Sequence, residues 1–199
     1  MSDPLSKTAE MRFRRVWAMP NPLTFQIPPI REIVERHVEK AKLTVDPFAR
    51  DCDIASVTND LNPETRAQYH MTAAQFLAML KERGDRPDLV LFDPPYSPRQ
   101  IKECYDGIGL KMAKLDAFTT GWFKEKKLIA QMMAPGGFVI YCGWNTIGMT
   151  ESLGYEIVEG LIVCHGPGHN DTLVSVWRKL NHNIQDWVQP RTGTSEVPT

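Results

Sequence analysis

Asp88-Leu89-Val90-Leu91-Phe92-Asp93-Pro94-Pro95-Tyr96 is the stretch that decides how this chain folds. Four apolar residues in unbroken succession, with no polar alternation, suit a strand buried on both faces of a parallel sheet. The strand must stop at Asp93, because the two prolines that follow lack N–H donors and fix their φ angles. In open α/β sheets ligands gather beyond the carboxyl ends of strands. The stretch therefore brings an acid, two prolines and an aromatic ring to that edge.

Working outward, the apolar spacing Ile30, Ile33, Val34, Val38 and Ala41 marks a helix that starts at Pro28-Pro29. Everything before it is too rich in proline for regular structure, and residues 1–20 read as an N-terminal arm. Strands are expected over residues 43–46 and 54–59, then a helix over 72–81 with Thr72 as N-cap and Gly84-Asp85 as its end. Downstream, helices are expected over 98–105, with Ile101 and either Cys104 or Tyr105 facing inward, and over 122–133, stopped by Pro135-Gly136-Gly137. Residues 138–142 form a further buried strand, 146–153 a helix, and 156–164 with 172–177 an antiparallel hairpin around the turn-rich residues 165–171. Residues 107–120 carry no readable period. The polar residues 181–199 read as a disordered tail, with Trp187 as its one docking candidate. The pattern predicts an α/β fold over residues 21–180: a three-layer Rossmann-like sandwich with a mostly parallel sheet and a C-terminal antiparallel hairpin.

Bulk properties narrow the role. With 199 residues, 42% of them hydrophobic, the chain suits one domain with room for a ligand cleft. A formal charge of -1 does not by itself call for a polyanion. Basic residues do cluster at Arg12, Arg14 and Arg15 and at Lys111, Lys114, Lys124, Lys126 and Lys127, as steering patches or simply as solvated helix faces. Cys52, Cys104, Cys142 and Cys164 are widely spaced, and the start of the chain has no apolar signal core, which fits a reduced cytoplasmic protein. No apolar run approaches the roughly 20 residues that span a bilayer, so no membrane partner is expected.

The loop Asp93-Pro94-Pro95-Tyr96 has a definite chemistry. Its prolines leave carbonyl oxygens free beside the Asp93 carboxylate, a rigid set of acceptors. An exocyclic amine has two N–H donors, and accepting from both favours the pyramidal nitrogen that attacks an electrophilic methyl group. Tyr96 offers a face on which a base turned out of its stack can lie.

These residues resemble the catalytic motif of the amino-group DNA methyltransferases, adenine-N6 branch, and are most similar to small phage or mobile-element adenine methyltransferases. The resemblance runs over residues 21–179 and also rests on residues 21–30, Val45-Asp46-Pro47-Phe48-Ala49, Asn59-Asp60-Leu61-Asn62-Pro63, Ser97-Pro98-Arg99-Gln100 and the late turn. It implies S-adenosylmethionine as cofactor, with Phe25, Ile27, Asp46, Pro47, Phe48, Ala49, Asp60 and Asn62 around it and Thr72 where relatives carry an acid for the cofactor's adenine. It implies Asp93, Pro94, Pro95 and Tyr96 as the catalytic loop. Ser97, Arg99, Lys102, Trp144, His169 and Asn170 are the candidates for contact with DNA. RNA or cytosine-N4 methylation, and a degenerate fold that only binds DNA or protein, remain alternatives.

Two features depart from the pattern. The turn after the first cofactor strand, Ala49-Arg50-Asp51-Cys52-Asp53, has no glycine. The link to the next strand is also shorter than the dozen or so residues a crossover helix needs, so either that first helix is reduced to a loop or the second strand is misplaced. A metal site at His165 and His169 is discounted, since that spacing belongs to helices and these residues lie in a turn. Spare length for target reading exists only around residues 97–121, which points to short selectivity, a recognition partner or a homodimer. His37 falls on the polar side of its helix and is expected to be solvated.

Overall fold

The computed structural model describes residues 11–110, 121–145 and 148–181. Its strands are β1 (Arg12–Trp17), β2 (Thr44–Asp46), β3 (Val57–Thr58), β4 (Leu89–Phe92), β5 (Phe138–Gly143), β6 (Tyr155–Cys164) and β7 (Thr172–Lys179). The helices are α1 (Pro28–Val38), α2 (Ala73–Arg83), α3 (Pro98–Asp106) and α4 (Phe123–Met132). The strands form one sheet in the order β1-β6-β7-β5-β4-β2-β3. β7 runs antiparallel to β5 and β6, and the other described pairings are parallel. This is the expected three-layer sandwich with its closing hairpin.

β4 behaves as its composition demands. Leu89 and Leu91 pack with Ile30, Ile33 and Val34 of α1 on one face. Val90 and Phe92 pack with Phe76, Leu77 and Leu80 of α2 and Ile129 of α4 on the other. All four strand residues are at most 1% exposed, and burying each such side chain contributes about 2 kcal/mol. α2 begins at Thr72, whose hydroxyl accepts from Gln75 N while the Gln75 side chain accepts from the Thr72 N–H, and it ends at Gly84 with φ +82°. In α3 the inward residues are Ile101 and the partly buried Tyr105, while Cys104 is exposed.

Residues 47–56 join β2 to β3 without a helix, yet β3 pairs parallel to β2 in the register Val45↔Val57 and Asp46↔Thr58. The second strand is therefore correctly placed and the crossover helix is reduced to a loop. A buried amide does the bracing. Asn59 Nδ2 donates to Pro47 O (3.1 Å) and Met71 O (3.0 Å), and its Oδ1 accepts from Met71 N (3.2 Å). Its main chain bonds Asp46 O and Ala49 N, and a single parallel bridge to Tyr69 extends the sheet one step further.

The structure corrects several expectations. The arm contains β1, an edge strand parallel to β6, so Arg12, Arg14 and Arg15 lie on a strand rather than a helix. Nearly every β1 side chain is exposed, which erases the period that would have revealed it. His37 stacks on Phe138 with ring centroids 4.7 Å apart, and burial lowers its pKa to about 4. Residues 148–153, the described part of the expected 146–153 helix, are not α-helical. Residues 146 and 147 lie outside the described set, and only a 3-10 turn, Glu151–Leu153, is present. The lysine cluster is divided: Lys126 is 2% exposed, with Nζ 5.1 Å from the Tyr141 ring, while Lys111 and Lys114 lie outside the described residues. Residues 182–199, including Trp187, lie outside them too.

Replacing Asn59 with alanine strands two carbonyls and one N–H in a tight space. We expect Asn59→Ala to lose about 3 kcal/mol of stability, read from the urea midpoint. Asn59→Asp should not recover it, because a carboxylate cannot donate to Pro47 and Met71.

Candidate active site

The carboxyl ends of β2, β4 and β5 place Asp46, Asp93 and Trp144 at one edge of the sheet. The loop after β4 is held from its far side by α3. Ser97 caps that helix by accepting from Gln100 N (3.2 Å), Pro98 occupies its first turn, and Gln100 Oε1 reaches back to accept from Tyr96 N (2.6 Å). Asp93-Pro94-Pro95-Tyr96 is thus fixed at both ends by a buried strand and a capped helix.

Within the loop, the Tyr96 hydroxyl donates to Asp93 Oδ1. Thr24, in the 3-10 turn Thr24–Gln26, also hydrogen-bonds both residues. Burial raises the Asp93 carboxyl above its ordinary pKa, while the Thr24 and Tyr96 hydrogen bonds and the Arg50 charge pull it back. Burial first, and then the neighbouring Asp93 charge, lift the Tyr96 phenol far above the usual tyrosine range. The Tyr96 ring leans on Trp144 at 5.5 Å with a 59° tilt. Tyr96 therefore packs partly inward, and Trp144, 42% exposed, presents the open aromatic face.

Beside Asp93 lies a narrow cleft between the 3-10 turn and the loop after β2, lined by Pro22, Leu23, Thr24, Phe25, Phe48 and Arg50 among others. Its free volume is only about 10 Å³. Arg50 closes it: the backbone there has φ +51°, Nη1 donates to Pro22 O (2.9 Å) and N donates to Asp60 Oδ2 (3.1 Å). Ala49 and Phe48 form the floor, the Phe48 ring meeting Phe92 and Trp122 edge-on at 5.4 and 5.1 Å. Asp46 is 1% exposed and accepts from Phe48 N (2.9 Å). Burial pushes its carboxyl well above the ordinary range, and the Asp93 and Asp60 charges add to the shift.

The remaining predicted residues are more scattered. Pro47 is buried, with its carbonyl held by Asn59. Ile27 is core, 2% exposed next to Phe25. Asp60 and Asn62 shape their own turn, each accepting a backbone N–H two residues on (2.8 and 3.0 Å). The Thr72 hydroxyl is engaged in the α2 cap. Arg99 and Lys102 pair with Glu103 and Asp106 along the outer face of α3. His169 and Asn170 are exposed in the β6–β7 turn, whereas His165 is buried, with Nδ1 on Ala18 O (2.8 Å) and Nε2 on Thr172 Oγ1 (2.9 Å). Thr24 and Arg50 were not foreseen from the sequence, because their roles come from contacts across the chain. A glycine-free turn that still needs a left-handed residue was the one available signal for Arg50.

The sheet and helix layers form a Rossmann-like sandwich that solved structures of low sequence identity share. TrmN from Thermus thermophilus superposes with a TM-score of 0.51 at 15% identity, covering 77% of this chain and 49% of that one. SMU.776, solved with SAH, gives 0.50 at 12% identity, covering 74% and 48%. The chain thus spans about half the length of these proteins. No family model and no curated protein matches its sequence.

Because the folded Asp46 carboxyl holds its proton more tightly than the ordinary value of 3.8 allows, the native state is favoured below about pH 4. That stability is lost as pH rises towards the folded value. Asp46→Asn keeps an acceptor for Phe48 N and removes the titration. Urea unfolding between pH 4 and 8 should show a shallower decline for the variant, and an unchanged slope would contradict this assignment.

Proposed function

We propose that this chain transfers a methyl group from S-adenosylmethionine to the exocyclic N6 of adenine in DNA. The observation that carries the reading is a pair of desolvated carboxyls, Asp46 and Asp93, at adjoining strand ends beside a proline-fixed acceptor loop. Asp46, buried with no ion-pair partner among the described residues, suits a cationic ligand, and S-adenosylmethionine carries both a sulfonium and an ammonium group.

The residues present fit that cofactor in chemistry. Asp46 would hold the methionine ammonium, Asp60 and Asn62 the ribose hydroxyls, and Phe25, Pro47, Phe48 and Ala49 the apolar surfaces. The space requires residues 21–26 to yield, since Arg50 and Pro22 now close the cleft. When bound, the cofactor supplies an electrophilic methyl group. On the substrate side, the Asp93 carboxylate and the Pro94 carbonyl accept from the two amine N–H groups, directing the nitrogen lone pair at that methyl. The amine takes the place the Tyr96 hydroxyl holds on Asp93. The Tyr96 ring, released from that bond, and Trp144 bracket the base. No covalent enzyme intermediate is needed. Adenine in DNA is favoured by the resemblance of residues 89–96 to the adenine-N6 motif.

Calorimetry on the purified protein should detect binding of S-adenosylmethionine or SAH. Asp93→Ala should keep that binding and lose about two to three orders of magnitude in methyl transfer. Digesting treated DNA and RNA to nucleosides and weighing the products should find N6-methyldeoxyadenosine. A methylated cytosine or ribonucleoside would move the ring or polymer, and absence of cofactor binding would overturn the enzyme reading.

A further inference from the structure

We infer that the outer face of β1 is a docking surface for single-stranded nucleic acid, leading to the candidate active site; the inference rests on the nucleobase-modifying reading of that site. Side chains alternate along a strand, so Phe13, Arg15 and Trp17 share one face, in register with Gly160, Ile162 and Cys164 of β6. α2 and α4 pack over the β2, β4 and β5 side of the sheet, and at the β1 margin the same face lies open. Phe13 is 59% and Trp17 65% exposed, and Met19, just past the strand, is 66% exposed. Such rings on a sheet edge, left in water without partners, are costly for stability and suited to stacking.

Phe13 lies over Gly160, where a Cβ would come within 2.9 Å of its ring, so the strand pair offers a flat surface there. Trp17 stands beside Gly166 in the 165–171 turn. Ala18 N donates to Cys164 O (3.1 Å) and His165 holds Ala18 O, which fixes the end of β1 to the carboxyl edge where Asp93 and Trp144 sit. The aromatic row therefore ends at the same edge of the sheet as the site, three strands from β5.

Charge selects the occupant. On the opposite face of β1, towards α1, a separate groove of about 370 Å³ is lined by Arg12, Arg14, Arg36, Glu32, Glu159 and Phe13. Arg14 pairs with Glu32 (3.6 Å) and Arg36 with Glu159 (2.6 Å). Arg12 and Arg15 have no carboxylate partner among the described residues. Arg15, between Phe13 and Trp17 on the same face, sets a guanidinium for a phosphate beside two rings on which bases can stack, whereas a duplex keeps its base faces covered.

The test uses the full chain and fluorescein-labelled 12-nucleotide single strands, DNA and RNA, with the matching duplex, followed by anisotropy between 50 and 200 mM salt. The wild type should prefer the single strands. Trp17→Ala and Phe13→Ala should each weaken binding about tenfold while thermal melts stay close to wild type. Arg15→Ala should flatten the log K against log salt slope by about 0.7. Unchanged affinity in the aromatic variants, no preference over duplex, or a wild-type dimer in sedimentation that Phe13→Glu dissolves would overturn the inference. SAH calorimetry on the same variants separates the two readings. Binding of cofactor with failure on strands leaves the enzyme standing, and the reverse leaves only the docking surface.

Discussion

A single buried side chain amide takes the place of a helix in this fold. In a parallel sheet, adjacent strands are normally joined by a crossover whose helix packs on the sheet and fixes the spacing of the strand ends. Here residues 47–56 supply only a loop. Asn59 compensates by joining Pro47, just beyond β2, to Met71, just before α2, with both amide hydrogens and the carbonyl engaged. Such a network has to be complete to be stabilising. Through it the positions of Asp46, Phe48 and the start of α2 become one rigid unit.

That rigid unit holds acids in a state they resist. Asp46 is nearly inaccessible and faces the charges of Asp93 and Asp60. Asp93 is relieved only in part, by two hydroxyls and a guanidinium. A structural carboxyl in the core would be expected to have a salt-bridge partner. Paying that desolvation at two adjoining strand ends makes sense if a cation arrives to offset it, and so the electrostatics and the acceptor geometry of the Asp93 loop favour the same kind of ligand.

What the sequence revealed followed burial. β4 was legible because both its faces are covered, so its composition could not alternate. α1 and α2 were legible because each buries one stripe and uses a recognisable start, Pro28-Pro29 or the Thr72–Gln75 box. β1 was not, because an edge strand with no helix on one face and arginines on the other has no apolar period to detect. His37 was misjudged for a related reason: helical spacing put it on the polar face, but a tertiary neighbour, Phe138, covers it. In the site, Asp93 and Tyr96 could be read because their constraint is local. Their bonds to Thr24, about 70 positions away in the chain, exist only once the sheet has assembled.

Arg50 shows how a departure from a glycine-rich pattern can be physically consistent. The turn after β2 does require a left-handed residue, and Arg50 adopts φ +51° at a cost of about 1 kcal/mol that glycine would not incur. Its N–H bond to Asp60 and its guanidinium bond to Pro22 offset that cost. Glycine would relieve the backbone but leave residues 21–26 untied and remove the cation that moderates Asp93. Arg50 thus does two jobs at once, latching the cleft and standing near the acids with a positive charge. A cationic ligand entering the cleft competes with it on both counts. The turn without glycine is therefore compatible with a binding site, but with one whose opening is coupled to the exchange of one cation for another.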